Sequence, residues 1–338
     1  MLEYLGNIVV SNKPKKQHYV PQFLLKNWSK GKKEKIHIFD KKENKVFSSS
    51  VRDAGHENNF YEDEILGYQS NTEIKLAELE TIAAPIIKKI ITEGNLKLLS
   101  PEEHWKLCFF TSVQMLRTNH TREFLQGFQD ILNERIIEWG ADPKTDVENY
   151  KEISKEEIKS SSINILNTLP IELVDEFVDK QLTLLVAPDN HSFYISDNPI
   201  VKHNHFPRPH RGNLGISLEG IEIYFPISPR YCLSFLCSKL ATEMKQKVMN
   251  YKAQRVLGCA PLVDISEAEA EAMVDCFTEK TQHPMSPLNM DFNNSQQVIH
   301  STRFIYSSES DFALAKDMLR TNPEISTQPK VVDGSKVF

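Results

Sequence analysis

The sequence predicts an α+β fold: a mixed or antiparallel sheet formed by N-terminal and second-half hairpins, packed with a long antiparallel helix pair. Three observations carry that expectation. Residues 35–48 alternate apolar and polar side chains around Lys41-Lys42-Glu43-Asn44, which reads as a hairpin. The pattern returns in the second half, where residues 181–187 and 193–195 flank Pro188-Asp189-Asn190-His191, and residues 222–225 and 231–237 flank Pro226-Ile227-Ser228-Pro229. Between them, residues 70–92 and 101–139 carry helical periodicity, and the short connection from Gly94 to Ser100 makes them antiparallel neighbours.

Each remaining element follows from local chemistry. Asn58-Asn59-Phe60-Tyr61 reads as a loop with two aromatic anchors. Ser70 or Asn71 caps the first long helix, and Pro85 inside it should kink or split it. Ser100-Pro101-Glu102-Glu103 opens the second with a cap, a first-turn proline and acids at the positive end. Residues 140–160 are polar and punctuated by Asp142-Pro143, so they read as a linker. Helices are expected near residues 163–180, 240–256 and 266–281, and Gln297-Val298-Ile299 with Arg303-Phe304-Ile305-Tyr306 close the domain with one more strand. A single domain over residues 14–306 results, helix-rich over about 70–180 and sheet-rich over 181–306. Residues 307–338 are weakly patterned and read as a peripheral tail.

Composition narrows the class. A length of 338 residues, 40% hydrophobic and 25% charged, is ordinary for a globular protein. No apolar run approaches a membrane span, and the first ten residues lack a basic region or cleavage site, so cytoplasm is the expected compartment. Five cysteines without a CxxC pair point to reduced, mostly buried thiols. The net charge of −6 argues against a surface built wholly for nucleic acid. Lysines nevertheless crowd the N-terminal region, from Lys13 to Lys45. They read either as a solubilised sheet edge or as a patch for an anionic or nucleic-acid substrate.

The candidate site residues begin in Lys16-Gln17-His18-Tyr19-Val20-Pro21-Gln22-Phe23. Pro21 stiffens the segment, and on an extended backbone His18 and Tyr19 point to opposite faces. Glu80 falls inside the apolar arc of the first long helix, with Glu73 two turns earlier on nearly the same face. Gln114 and Arg117 sit on or beside the apolar stripe Phe110, Val113, Phe124, Phe128 and Ile131 of the second. An inward arginine needs an acid. Glu80 and Arg117 stand about one helical turn apart in level when each helix is counted from the connection, close enough to meet. Ser196-Asp197-Asn198-Pro199 ends a strand with two polar side chains. His203-Asn204-His205-Phe206-Pro207-Arg208-Pro209-His210-Arg211 follows as a basic loop over an anionic ligand, a weak metal-ligand pattern or an idle surface loop.

Taken together, Gln17-His18-Tyr19-Val20-Pro21-Gln22-Phe23, Asn59-Phe60-Tyr61, Glu73, Glu80, Gln114-x-x-Arg117-Thr118, Ser196-Asp197-Asn198-Pro199 and Phe225-Pro226-Ile227-Ser228-Pro229 resemble the HYVP-motif bacterial family of uncharacterised proteins, domain-of-unknown-function family 4238. The resemblance spans roughly residues 14–306 and implies no reaction. Three functional readings stay open. In the first, a hydrolase acts on a phosphate-containing substrate, as a metal-dependent nuclease or phosphodiesterase, in a setting of bacterial defence or as a toxin. His18, Glu80, Arg117 and Asp197 are then catalytic. Gln17, Tyr19, Gln114, Asn198, His203 and Arg208 bind substrate, and Asp197, Glu80 and Glu73 hold a divalent Mg or Mn ion. In the second, a non-enzymatic sensor or interaction protein binds a small anionic ligand. In the third, Glu80–Arg117 and His18 are core structure only.

Overall fold

The structure is a computed structural model that describes residues 14–63, 65, 71–206, 212, 214–257 and 267–326. Strands are β1 (Lys16–His18), β2 (Lys35–Asp40), β3 (Lys45–Ser50), β4 (His56–Asn58), β5 (Gln181–Val186), β6 (Ile195–Ser196), β7 (Val201–Asn204), β8 (Ile221–Pro226), β9 (Tyr231–Leu236), β10 (Gln282–Pro284) and β11 (Phe304–Ser307). Helices are α1 (Gln22–Leu25), α2 (Thr72–Glu93), α3 (Pro101–Leu116), α4 (Asn119–Glu138), α5 (Pro143–Asp146), α6 (Lys155–Thr168), α7 (Pro170–Val178), α8 (Ser238–Val256), α9 (Glu267–Glu279), α10 (Pro287–His300) and α11 (Ala313–Thr321). The chain is α+β, as its pattern predicts.

Two larger sheets and one small ribbon organise it. The first has the order β3-β2-β11-β6 and is antiparallel throughout. It joins the N-terminal hairpin to strands from the second half, as expected. The second, β10-β5-β9-β8-β7, is mixed, because only β10 runs parallel to its neighbour. β1 pairs with β4 alone, with His18 opposite His56. α2 and α3 are antiparallel: Lys89 meets Glu103 near their connection, and Glu80 meets Arg117 further away.

The main core lies between these helices and one face of the five-stranded sheet. Phe110 packs on Phe225 and Phe177 on Phe235. Trp28 is fully buried and donates its indole N–H to the Phe193 carbonyl at 2.7 Å, which pins the N-terminal segment to the second half of the chain.

Several expectations are corrected. Helix α2 runs through Pro85 without splitting; the proline sits on its exposed side, so the carbonyl of Thr81 that loses its partner faces water. The helix expected over residues 101–139 is two. Thr118 is extended (φ −96, ψ 166), and the Arg117 carbonyl accepts from the Tyr61 hydroxyl instead of a helical amide. The apolar stripe breaks there: Phe110 and Val113 are buried, while Phe124 and Phe128 are exposed. Residues 140–160 contain α5 and the start of α6, and the helix expected near 163–180 is α6 and α7. β5 does not form a hairpin with residues 193–195. It pairs with β9 and β10, and the intervening turn carries the chain into the other sheet.

Residues 307–326 are not a peripheral tail. Phe312, Ala315, Leu319 and Ile325 join Phe39, Tyr194, Val298 and Ile305 in a second core. The lysine-rich region also conceals a buried member: Lys41 is 1% exposed and donates to the carbonyls of Val298, Ser301 and Ile325. Phe312→Ala is therefore expected to cost about 3–5 kcal/mol in urea denaturation. A change within about 0.5 kcal/mol, typical of a surface site, would return this segment to the periphery.

Candidate functional site

The stiff segment before Pro21 is held by its backbone. Arg117 donates from Nη2 to the His18 carbonyl at 2.5 Å, and Gln114 donates from Nε2 to the Tyr19 carbonyl at 2.9 Å. Gln114 and Arg117 are one turn apart on α3, so one helix face catches two consecutive carbonyls. Gln17 does the complementary work on the aromatic loop, accepting from the Tyr61 amide at 2.6 Å and donating to Glu62 at 3.1 Å.

Arg117 is the centre of this cluster. It is 2% exposed, and besides His18 it donates from Nη1 to Glu80 at 2.8 Å and from Nε to the Tyr61 hydroxyl at 3.3 Å. The expected Glu80–Arg117 pair therefore forms. Burial works against its charge, but Tyr61 and Glu80 more than compensate, and its pKa rises. Glu73 stands close by with one buried carboxylate oxygen that has no hydrogen-bond partner among the described residues. Burial pushes its pKa up to about 7, with Arg117 opposing and Glu80 assisting.

His18 shares this cluster through its carbonyl, not its ring. The imidazole is stacked on His56 at 5.3 Å, with Nε2 3.2 Å from the Arg52 carbonyl and Nδ1 3.5 Å from Gln22. Burial, reinforced by His56, lowers its pKa to about 4, so it is neutral near pH 7. Tyr19 packs behind it against Phe60, and burial raises its pKa.

Asp197 is saturated. Its carboxylate accepts from the Thr302 amide (2.8 Å), the Thr302 hydroxyl (2.8 Å), the Arg303 amide (2.7 Å) and the Phe304 amide (2.7 Å). Asn198 donates to the His300 carbonyl and accepts from Thr118 at 3.4 Å. These residues fasten β11 to β6 and to the α3–α4 junction.

Gln17, His18, Tyr19, Glu73, Glu80, Gln114 and Arg117 thus come together, and Asp197 is near enough to Tyr19 to raise its pKa further. His203 lies apart on β7, and Arg208 falls outside the described residues. Among the described residues no three His, Cys, Asp or Glu side chains are grouped to hold a metal ion. The donor set expected for Mg or Mn does not fit: Asp197 is filled by four donors and Glu80 is paired with Arg117.

An open site lies elsewhere, on residues that sequence reasoning missed. A cleft of about 360 Å³ is lined by Ser100, His104, Lys180, Ser238, Lys245 and Lys280, among others. Its lining holds three lysines against one acid, Asp179. Lys180 is 8% exposed, and burial lowers its pKa while Glu176, Cys237 and Asp179 oppose the shift. His104 Nε2 is buried with no hydrogen-bond partner among the described residues, and burial followed by Lys280 lowers the imidazole's pKa. Lys245 is steadied by Gln181 at 2.8 Å. The α3 N-terminus closes on its own Ser100–Glu103 capping box, whereas α8 begins at the cleft with no acid in its first turn. A second hollow, about 450 Å³, mixes Arg122, Lys155 and Lys159 with Glu62, Asp63, Glu123 and Glu156 and has no dominant sign.

The fold and these sites define an α+β protein with a buried polar scaffold and a separate cationic cleft. The chain belongs to the family described as Protein of unknown function (DUF4238), whose model matches residues 16–311. No curated protein and no solved structure matches it. Among the described residues, no helix is long and apolar enough to cross a membrane.

Two outcomes follow from the scaffold. Arg117→Ala is expected to destabilise by about 3–5 kcal/mol, because it strands a carboxylate and a buried carbonyl; a loss below about 1 kcal/mol in chemical denaturation would contradict the role given to the guanidinium. The pH profile tests His18 and Glu73 together. The unfolded His18, near its ordinary 6.5, takes a proton that the folded ring accepts only near 4, so its contribution to stability falls as pH drops across that window. Folded Glu73 keeps its proton up to about 7 against an ordinary 4.5, so its contribution falls as pH rises. The Glu73→Gln variant should therefore show a steeper rise of stability with pH between 4.5 and 6.5 than the parent protein. An unchanged slope would remove Glu73 from the buried set.

Proposed function

We propose that this protein binds a small phosphate-bearing anion in the cleft between the start of α8, the start of β5 and the N-terminal part of α3. The observation that carries this reading is the lining itself, in which Lys180, Lys245 and Lys280 face one cleft with Asp179 as its one acid. An anion seated there meets several ammonium groups at once. The α8 N-terminus adds a favourable partial charge. The volume suits a small molecule, at the lower end of the range of about 300–1,000 Å³ for ligand pockets.

The hydrolytic reading has less support. Its intended base, His18, and its intended metal-binding acid, Asp197, spend their hydrogen-bonding capacity on the protein itself. Binding of an anion needs neither. The phosphate-bearing class remains common to both readings, because several cations around one small cleft favour a multiply charged ligand over a lone carboxylate.

Isothermal titration with inorganic phosphate and pyrophosphate at low salt tests the proposal. Binding is expected to weaken with added salt. It should fall at least about tenfold, or 1.4 kcal/mol, in Lys180→Met. Absence of binding to both anions, or equal affinity in Lys180→Met, would overturn the reading.

A further inference from the structure

The face of the five-stranded sheet opposite the main core packs against α10, where His203 lies edge-on to Phe292 at 4.9 Å. It carries a polar group that neither the scaffold nor the cationic cleft uses. Cross-strand partners share a face, so the register places His203 opposite Glu222, and Tyr224 opposite Ser234. His205, just beyond the end of β7, joins the same group: its Nε2 lies 2.7 Å from a Glu222 carboxylate oxygen. That carboxylate is 6% exposed and also accepts from the Tyr224 hydroxyl at 2.7 Å and from the Ser234 hydroxyl. Three donors fix Glu222, and Glu222 in turn fixes the imidazole of His205.

The backbone around His205 is equally constrained. Its amide donates to the Gly220 carbonyl at 3.0 Å, and the Phe206 amide donates to Asn204 at 2.8 Å. Gly220 has φ +84, and a Cβ there would come within 2.6 Å of Phe206 and 2.7 Å of Asn204. Only glycine permits so close an approach.

Nε2 of His205 is engaged, and no described residue hydrogen-bonds Nδ1 on a side chain that is 40% exposed. The His203 ring stands perpendicular to it, with centroids 5.1 Å apart, and makes no hydrogen bond to a described residue. Histidines that bind metals commonly donate their other ring N–H to a carboxylate, which sets tautomer and orientation. The spacing also agrees. A metal–nitrogen bond of about 2.0–2.1 Å puts a ring centroid roughly 3.2 Å from the ion, so two rings on a tetrahedral centre have centroids about 5 Å apart.

We propose that His203 and His205 form a two-histidine site for a first-row transition ion of the Zn²⁺ type, with Glu222 orienting His205. Imidazole ligands favour zinc, nickel and copper over magnesium. The ion therefore differs in kind from the Mg or Mn expected on the carboxylates. Two protein ligands leave the other coordination positions to water or to an exchangeable ligand.

The test uses the full chain without a histidine tag. Zn²⁺ titration should give one ion per chain, and Co²⁺ should produce the visible absorption of a site with nitrogen ligands. His203→Ala and His205→Ala, both at accessible positions, should each weaken Zn²⁺ binding by at least about tenfold while the far-ultraviolet spectrum is unchanged. Glu222→Gln should weaken it by about 10–100-fold, the usual effect of losing such a carboxylate. Mg²⁺ should not compete. Zn²⁺ binding that survives the double His203→Ala, His205→Ala substitution, or parent protein that binds no more Zn²⁺ than this variant, would overturn the site and leave His205 as the neutralising partner of Glu222 alone.

Discussion

The guanidinium of Arg117 reaches three segments that are remote in the chain and lies within a fourth. It bonds the His18 carbonyl of the N-terminal strand, the Glu80 carboxylate of α2 and the Tyr61 hydroxyl of the aromatic loop, and it lies where α3 ends. Arginine suits this place because its planar fork presents donors in several directions while staying charged. Lysine has one nitrogen and would lose at least part of the set. The same contacts explain why α3 stops. A residue whose carbonyl is taken by Tyr61 is poorly placed to accept the next helical amide, so the chain turns at Thr118 and α4 departs on its own course.

Asp197 acts in a parallel way at the other end of the N-terminal segment. A carboxylate accepting three backbone amides and a hydroxyl behaves as a cap for the chain entering β11. Through Asn198 it also reaches Thr118, the residue next to Arg117. The two hubs are therefore joined, and they span most of the residues that carry the family resemblance. In physical terms that signature describes how two halves of the chain are fastened together. Acids, amides and an imidazole in an apolar setting are what such fastening requires, since buried polar groups need partners.

Much of this was legible in the sequence, and the limits have physical causes. The β2–β3 hairpin and the β8–β9 pair were legible because alternation and turn residues agreed locally. The Glu80–Arg117 pair was legible because helix geometry converts residue number into height, and a short connection sets the origin. The break at Thr118 was not, since residues on both sides continue a helical pattern and only tertiary partners end it. Residues 297–299, expected in a closing strand, lie in α10, which was hidden by its own polar buried face: Asn293, Asn294 and Gln297 stand where periodicity looks for apolar residues. Asn294 and Gln297 bond backbone groups of residues 192–199, so they pack as core without reading as core. Lys180 was invisible for a related reason. A lysine after a helix looks solvated until the neighbouring elements that bury it are known.

Charge bears differently on the two proposed sites. The chain carries a net charge of −6, which at long range repels an anion and attracts a cation. Salt confines such effects to about 8–10 Å, so beyond that distance the balance of the whole surface matters little. In the proposed cleft an anion would meet three nearby lysines, and attraction at contact distance exceeds a screened long-range repulsion. Affinity there must rest on contact and desolvation, with little help from steering. At His203 and His205 the background and the local carboxylate favour a cation together. The two sites therefore call for ligands of opposite sign, and their separate chemistry follows from one distribution of charge.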